Sequence, residues 1–305
     1  CLPLLVSAQS FEQMWKQVEV LEQKQLTKSA IQELRKIYEY AKQEKNVSQM
    51  MKAHLTRASL CIDITPDSLD SELSALKAWM EEEKDTVYQA ILNNLLGYYI
   101  LDTGKKDETA IDTAIAYFQR SLQDKEILFR KSAVDYRPMT NSKELSEKYC
   151  GDNMYQLLAR QAISRLSGYF IANPVSAEKI QTEILSIYDG LIDFYRQQGM
   201  TDARLLLMLD KLHYKGNDVS RGGVNERLRL TDEQVITLLK QLAEEFADSP
   251  LCGEVYCQLA ERYDRMQDYT AKLKAAQTGL AKYPRSLSAN DLKEQIAEVL
   301  TPRLM

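Results

Sequence analysis

LCGEVYCQLAERYDRMQDYTAKLKAAQTGLAKYP, residues 251–284, is the stretch that decides how the rest of the chain is read. Tyr256, Leu259, Ala260 and Tyr263 fall at helical spacing in its first half. Pro284 closes the second half, because proline has no N–H for a continuing helix and clashes with the preceding turn. Ala260 and Gly279 are small enough for two antiparallel helices to approach closely, and the larger side chains fill the space between them. The stretch therefore reads as one helix hairpin, and the fold class it predicts is all-α.

Tyr256, Leu259, Ala260, Tyr263, Gly279 and Pro284 are also positions of the 34-residue tetratricopeptide pattern. Lys272 and Ala276 depart from it, since alanine and a bulky aromatic are usual there. A second unit is suggested by Leu96-Gly97 on a first helix and Ala114, Phe118 and Ser121 on a second, with a longer turn around Lys105-Lys106-Asp107. A third, more degenerate unit covers Trp15 to Ala41. Three such units predict an antiparallel helix-hairpin array, a tetratricopeptide-like α-solenoid in which neighbours bury one another's apolar stripes.

The remaining punctuation agrees with an array. Ser10 with Gln13, and Thr231 with Gln234, form capping-box patterns that open helices. Met14, Trp15, Val18 and Leu21 share one helical face, and Ala30, Ile31, Leu34, Ile37, Tyr38 and Ala41 another. Thr65-Pro66 and Ser249-Pro250 read as helix starts, and Ser288 opens a last helix to about Leu300. Gly216 to Asn225, with Gly222-Gly223, reads as a flexible loop. The least regular part runs from Asp124 to Asn153. The organisation expected is N-terminal helical repeats over 9–126, an irregular connection over 127–153, and C-terminal repeats over 154–300 that include the 251–284 unit.

Lys and Arg total 39 against 44 Asp and Glu, with the signs mixed along the chain and no basic stripe. Nucleic acid is not an expected partner, since holding phosphates needs such a stripe. Cys1 to Val6 is apolar and is followed by Ser7-Ala8-Gln9, which resembles the end of a secretory signal cut between Ala8 and Gln9. A buried N-terminal strand and a lipidated Cys1 are the other readings of 1–8. No later run reaches the ~20 apolar residues that span a bilayer. Export is expected, with a periplasmic or cell-surface location, and no membrane-spanning segment. Cys61, Cys150, Cys252 and Cys257 contain no CxxC pair and the chain has only two His, so free thiols are expected and neither a metal site nor a cofactor is.

Several short strings imitate chemistry. Asp102-Thr103-Gly104 looks like an aspartic-protease loop, but it closes a helix instead of joining strands. Cys252-Gly253-Glu254-Val255 matches a thioester motif except at its last position, where valine lacks the side-chain carbonyl that the bond needs. Asp63, Thr65 and Asp67 begin like a calcium loop, but Ser68 and Ser74 replace the required Gly and Glu. His54 and His213 have no nucleophile at useful spacing, and Glu81-Glu82-Glu83 reads as a solvated helix face. No catalytic, cofactor-binding or metal residue is expected. The residues singled out are the structural repeat positions.

Phe11-Glu-Gln-Met-Trp-Lys-Gln-Val18 followed by Ile31-Gln-Glu-Leu-Arg-Lys-Ile-Tyr38 resembles the opening helix pair of bacterial alpha-2-macroglobulin-family proteins of the Bacteroidetes type. Ala114 to Leu122 with Asp135-Tyr136-Arg137-Pro138, Tyr155 to Ala162, Tyr188 to Tyr195 and the repeat ending at Tyr283-Pro284 are similar to later parts of the same N-terminal helical region. The resemblance implies an exported protein that inhibits endopeptidases by trapping them. It also implies that the trapping β-domains lie outside this chain, with residues 301–305 starting the link to them. Partners would be those domains of the same polypeptide, and proteases or envelope proteins. A stand-alone tetratricopeptide adaptor of the envelope, serving glycan uptake or outer-membrane assembly, is the other reading. An enzyme would need a grouping of acid–base or nucleophilic residues that the sequence does not offer.

Overall fold

The structure is a computed structural model, and it describes residues 10–64, 68–102, 108–133, 149–168, 174–217 and 223–301. The all-α reading holds: the described residues form helices joined by turns, with no strand among them. The helices are α1 (Phe11–Gln23), α2 (Thr27–Gln43), α3 (Val47–Ile64), α4 (Ser68–Glu82), α5 (Thr86–Asp102), α6 (Glu108–Ser121) and α7 (Lys125–Phe129), then α8 (Met154–Gly168), α9 (Pro174–Gln197), α10 (Thr201–Lys215), α11 (Asp232–Glu245), α12 (Cys252–Arg265), α13 (Tyr269–Lys282) and α14 (Ala289–Leu300). None is long and apolar enough to cross a membrane.

The chain divides into two compact units: Cys1–Glu144 with Asp152–Leu158, and Leu145–Gly151 with Ala159–Met305. In the first unit, α1 to α6 pack each on the next. Val18, Ala30, Leu34, Ile37 and Ala53 are buried together, with Phe11, Met14, Trp15, Leu21 and Tyr38 packed around them. These are the faces that the periodicity of α1 and α2 predicts. In the second unit α9 pairs with α10, and α11 to α14 pack in succession around Leu239, Leu251, Val255, Leu259 and Ala260.

Both capping boxes form. The Gln13 and Gln234 N–H groups donate to Ser10 Oγ and Thr231 Oγ1, each at 3.3 Å, and the Gln side chains accept from the cap N–H groups in return. The helix expected from Ser249-Pro250 begins at Cys252 instead: Ser249 Oγ accepts from the Leu251 N–H, and that turn delays the helix. α3 ends at Ile64, and the Thr65-Pro66 start lies outside the described residues, as does 134–148 within the expected irregular connection. The part of that connection that is described is tied down. Lys131 O accepts from the Met154 N–H at 2.9 Å, and Ser132 Oγ donates to Asp152 at 2.5 Å.

Among the described residues, four hairpins share one turn. Three residues separate α1 from α2, α2 from α3, α9 from α10 and α12 from α13, and the middle residue of each has positive φ: Gln25 (57°), Lys45 (54°), Gly199 (71°) and Gln267 (60°). In each turn the third residue's N–H returns to a carbonyl five positions back, at Leu21, Ala41, Tyr195 and Tyr263. This is the left-handed closure that satisfies the last free carbonyls of a helix. It turns the chain within three residues, and the flanking helices pack on each other.

Candidate functional site

The 251–284 hairpin brings its pattern residues together. Leu259 and Ala260 are buried on α12, and Tyr256 and Tyr263 are half-buried beside them. On α13, Gly279 faces Tyr256 so closely that a Cβ there would lie 2.5 Å from the Tyr256 Cβ. Tyr256 also meets Tyr283 at 5.9 Å between ring centroids, and Lys240 of α11 sits 5.9 Å from the Tyr263 ring. Pro284 is exposed just past the end of α13, where it stops the helix. The second expected unit forms the same kind of contact: a Cβ on Gly97 of α5 would lie 3.0 Å from the Phe118 ring of α6.

Lys272, a departure from the pattern, is buried. Its ammonium donates to Asp264 at 2.7 Å and to Glu298 at 2.8 Å. Burial opposes its charge, but the two carboxylates outweigh that cost and hold its pKa above the ordinary lysine value. Period alone gives no sign of this arrangement, because the partners are contributed by the ends of two other helices.

The polar cleft of the second unit, about 520 Å³, lies where the end of α10 meets the start of α11 and the end of α12. Gly216, Glu226, Arg229, Thr231, Asp232 and Arg265 are among its lining. Beside it, Arg262 is almost wholly buried and donates to Gly216 O at 2.8 Å and to Asp232 at 3.0 Å. Arg265 donates to Asn217 Oδ1 at 2.7 Å. A guanidinium against the last carbonyls of a helix meets the negative end of its dipole, so these arginines bind α10, α11 and α12 to one another. A Cβ on Gly216 would stand 2.7 Å from the Arg262 guanidinium, so a larger residue there would push that arginine from its place. The loop expected to be flexible is anchored on both sides of 218–222: Val224 is buried and its N–H donates to Asn217 O at 3.0 Å. The cleft thus holds charges of both signs, several of them already paired within the fold.

The described parts of the strings that imitate chemistry fall in helices. Asp102 ends α5, and Thr103-Gly104 lie outside the described residues, as do Thr65 and Asp67 of the calcium-like string. Cys252 to Val255 form the first turn of α12, and the described cysteines, Cys61, Cys150, Cys252 and Cys257, are free thiols. Burial pushes Cys257 up to about 12, with help from the Glu261 charge, which keeps it a thiol. His213 is exposed. His54 is buried with its ring 6.0 Å from Trp79 and 6.4 Å from Tyr38, and its Nδ1 lies 3.3 Å from the Arg57 guanidinium. Burial, and then the Arg57 charge, lower its pKa to about 4, so it is a neutral core group. Among the described residues no three His, Cys, Asp or Glu side chains gather into a group able to hold a metal ion. No protein-family model and no curated protein matches the chain.

Proposed function

We propose that this chain is a non-catalytic helical-repeat scaffold, the interaction region of an exported protein of the alpha-2-macroglobulin family. In that reading the protease-trapping domains belong to other parts of the same polypeptide, and the helices act as a docking or spacing arm in the periplasm or at the cell surface. The observation that carries the scaffold part is the run of close-packed hairpins in which Gly97 meets Phe118 and Gly279 meets Tyr256. Stacked hairpins present long surfaces suited to protein partners. The family part rests on the sequence resemblance of Phe11–Val18, Ala114–Leu122 and Tyr188–Tyr195.

Reading the gene past Met305 is the first test. β-rich macroglobulin domains downstream are the expected result; a stop codon there removes the family assignment and leaves the envelope-adaptor reading. Crosslinking in intact cells tests the scaffold part. Specific products with protease, with envelope protein or with the downstream domains are expected, and an array that crosslinks to none of these overturns it.

A further inference from the structure

α14 is attached to the fold differently from the helices beneath it. Of its twelve residues only Ala289 and Leu292 are buried, with Ile296 half-covered at the edge of the core, and Leu300 is largely exposed. Leu292 fills the groove left by Gly279, its Cδ1 lying 3.2 Å from where a glycine Cβ would stand. The other attachments are polar. Glu298 of α14 accepts from Lys272 at 2.8 Å while its own side chain is 63% exposed. Ser288, which precedes α14, donates from its N–H to Glu254 of α12 at 2.9 Å, and its hydroxyl binds the same carboxylate. Gln295 Nε2 lies 3.5 Å from Cys257 Sγ. By contrast α12 buries Cys252, Gly253, Val255, Cys257, Leu259, Ala260 and Arg262. Helices with few buried apolar groups and solvent-facing polar ties open at lower free energy than the core they cover.

We propose that α14 is a releasable strap over the α12–α13 hairpin, opening as a unit while the two helices beneath stay folded and uncovering Cys257 and the Gly279 groove. Leu292 is its one fully buried large apolar side chain, and the Lys272–Glu298 pair is the tether that salt weakens, because Glu298 lies mostly in solvent.

Two thiols on α12 make this measurable. Cys257 lies under Gln295 of α14, whereas Cys252, five residues earlier, is buried against Ala243 O at 3.7 Å, on the side toward α11. Iodoacetamide labelling of the full chain at pH 8, with each cysteine followed by peptide mass spectrometry, compares the two openings. Cys257 is expected to label at least about tenfold faster than Cys252, although its acidic neighbours Glu254 and Glu261 slow thiolate attack. Glu298→Gln, a change at an exposed side chain that leaves the core intact, and 1 M salt on the unaltered protein are each expected to speed Cys257 several-fold and leave Cys252 unchanged. A Cys257 rate no faster than that of Cys252, or one that neither Glu298→Gln nor salt alters, overturns the proposal. So does acceleration of both thiols together, since the hairpin would then be opening as a whole.

Discussion

The α5–α6 hairpin of the first unit and the α12–α13 hairpin of the second close around a glycine, yet they are stabilised by different means. α5 is buried nearly all round: Val87, Ile91, Leu92, Leu96, Ile100 and Leu101 are inside, and even Asn94 is buried, donating to Ser121 Oγ and to Leu158 O. α13 buries only Lys272, Ala275, Ala276 and Gly279. The first hairpin is held by large apolar side chains around a close approach. In the second, closeness itself is the main feature, and a paired lysine stands where a large apolar side chain could be. A helix pair can thus keep the same backbone approach while its source of stability shifts from the burial of large side chains to short-range fit.

The largest effect should separate those two sources directly. Phe118 is fully buried against Gly97, so Phe118→Ala removes a whole aromatic and leaves a cavity costing about 3–5 kcal/mol. Lys272→Met in the other hairpin keeps a similar volume, and the orphaned Asp264 and Glu298 carboxylates, 47% and 63% exposed, remain hydrated. Its stability change should stay within about 1 kcal/mol, since replacing a buried charge by a fitted apolar chain relieves desolvation. Urea denaturation of the two variants tests the contrast. Equal losses would mean that both hairpins draw on the same kind of energy.

The aromatic side of the first unit carries a pH dependence of its own. His54 has a pKa of about 4 in the folded chain, below the ~6.5 of an unfolded histidine. Below ~6.5 the unfolded chain therefore binds a proton that the folded chain refuses. The stability this neutral histidine allows is intact above that pH, and it is lost as pH falls from 6.5 toward 4. The loss approaches about 3 kcal/mol at the acid end. Denaturation of the wild type and of His54→Gln at pH 7 and at pH 4.5 isolates this contribution. The wild type should lose more on acidification, and parallel losses in the two proteins would remove His54 as the cause.

The glycines themselves come next. Gly279→Ala sets a methyl 2.5 Å from the Tyr256 Cβ, an atom that moves only with its backbone, and should cost about 2 kcal/mol. Gly97→Ala meets the Phe118 ring at 3.0 Å, and the helix preference of alanine offsets part of the strain, leaving about 1 kcal/mol or less. If the order in melting temperature reverses, the second hairpin is the looser of the two.

Both of these glycines were legible in the sequence because the repeat pattern places a small residue where two helices cross. The capping boxes and the apolar faces of α1 and α2 were legible for the same local reason. Lys272 was visible only as a departure, since its partners Asp264 and Glu298 come from α12 and α14 and no spacing links them. The cleft beside Arg262 was hidden for a related reason. Gly222-Gly223 suggested a loose loop, whereas Gly223 is needed because Asn217 lies against it. The cleft's lining comes from the end of one helix, the start of the next and the end of a third, and no spacing in the sequence links them.

The left-handed geometry of these four turns among the described residues was not legible, because three of them carry no glycine, and they yield the smallest test. Gln25, Lys45 and Gln267 are exposed and pay the steric cost of positive φ without any packing return. Glycine at any one of them should stabilise its hairpin by about 0.5–1 kcal/mol, read as a higher urea midpoint. Gly199 occupies the same place between α9 and α10, and a Cβ on it would meet nothing within 4 Å. Gly199→Ala therefore isolates the backbone cost and should lose about 1 kcal/mol. Placed beside Gln267→Gly, it compares one turn geometry in two hairpins of the second unit with opposite signs expected. If both changes destabilise, Gln267 is held by an interaction beyond the turn itself, and the α12–α13 hairpin depends on its connection as well as on its interface.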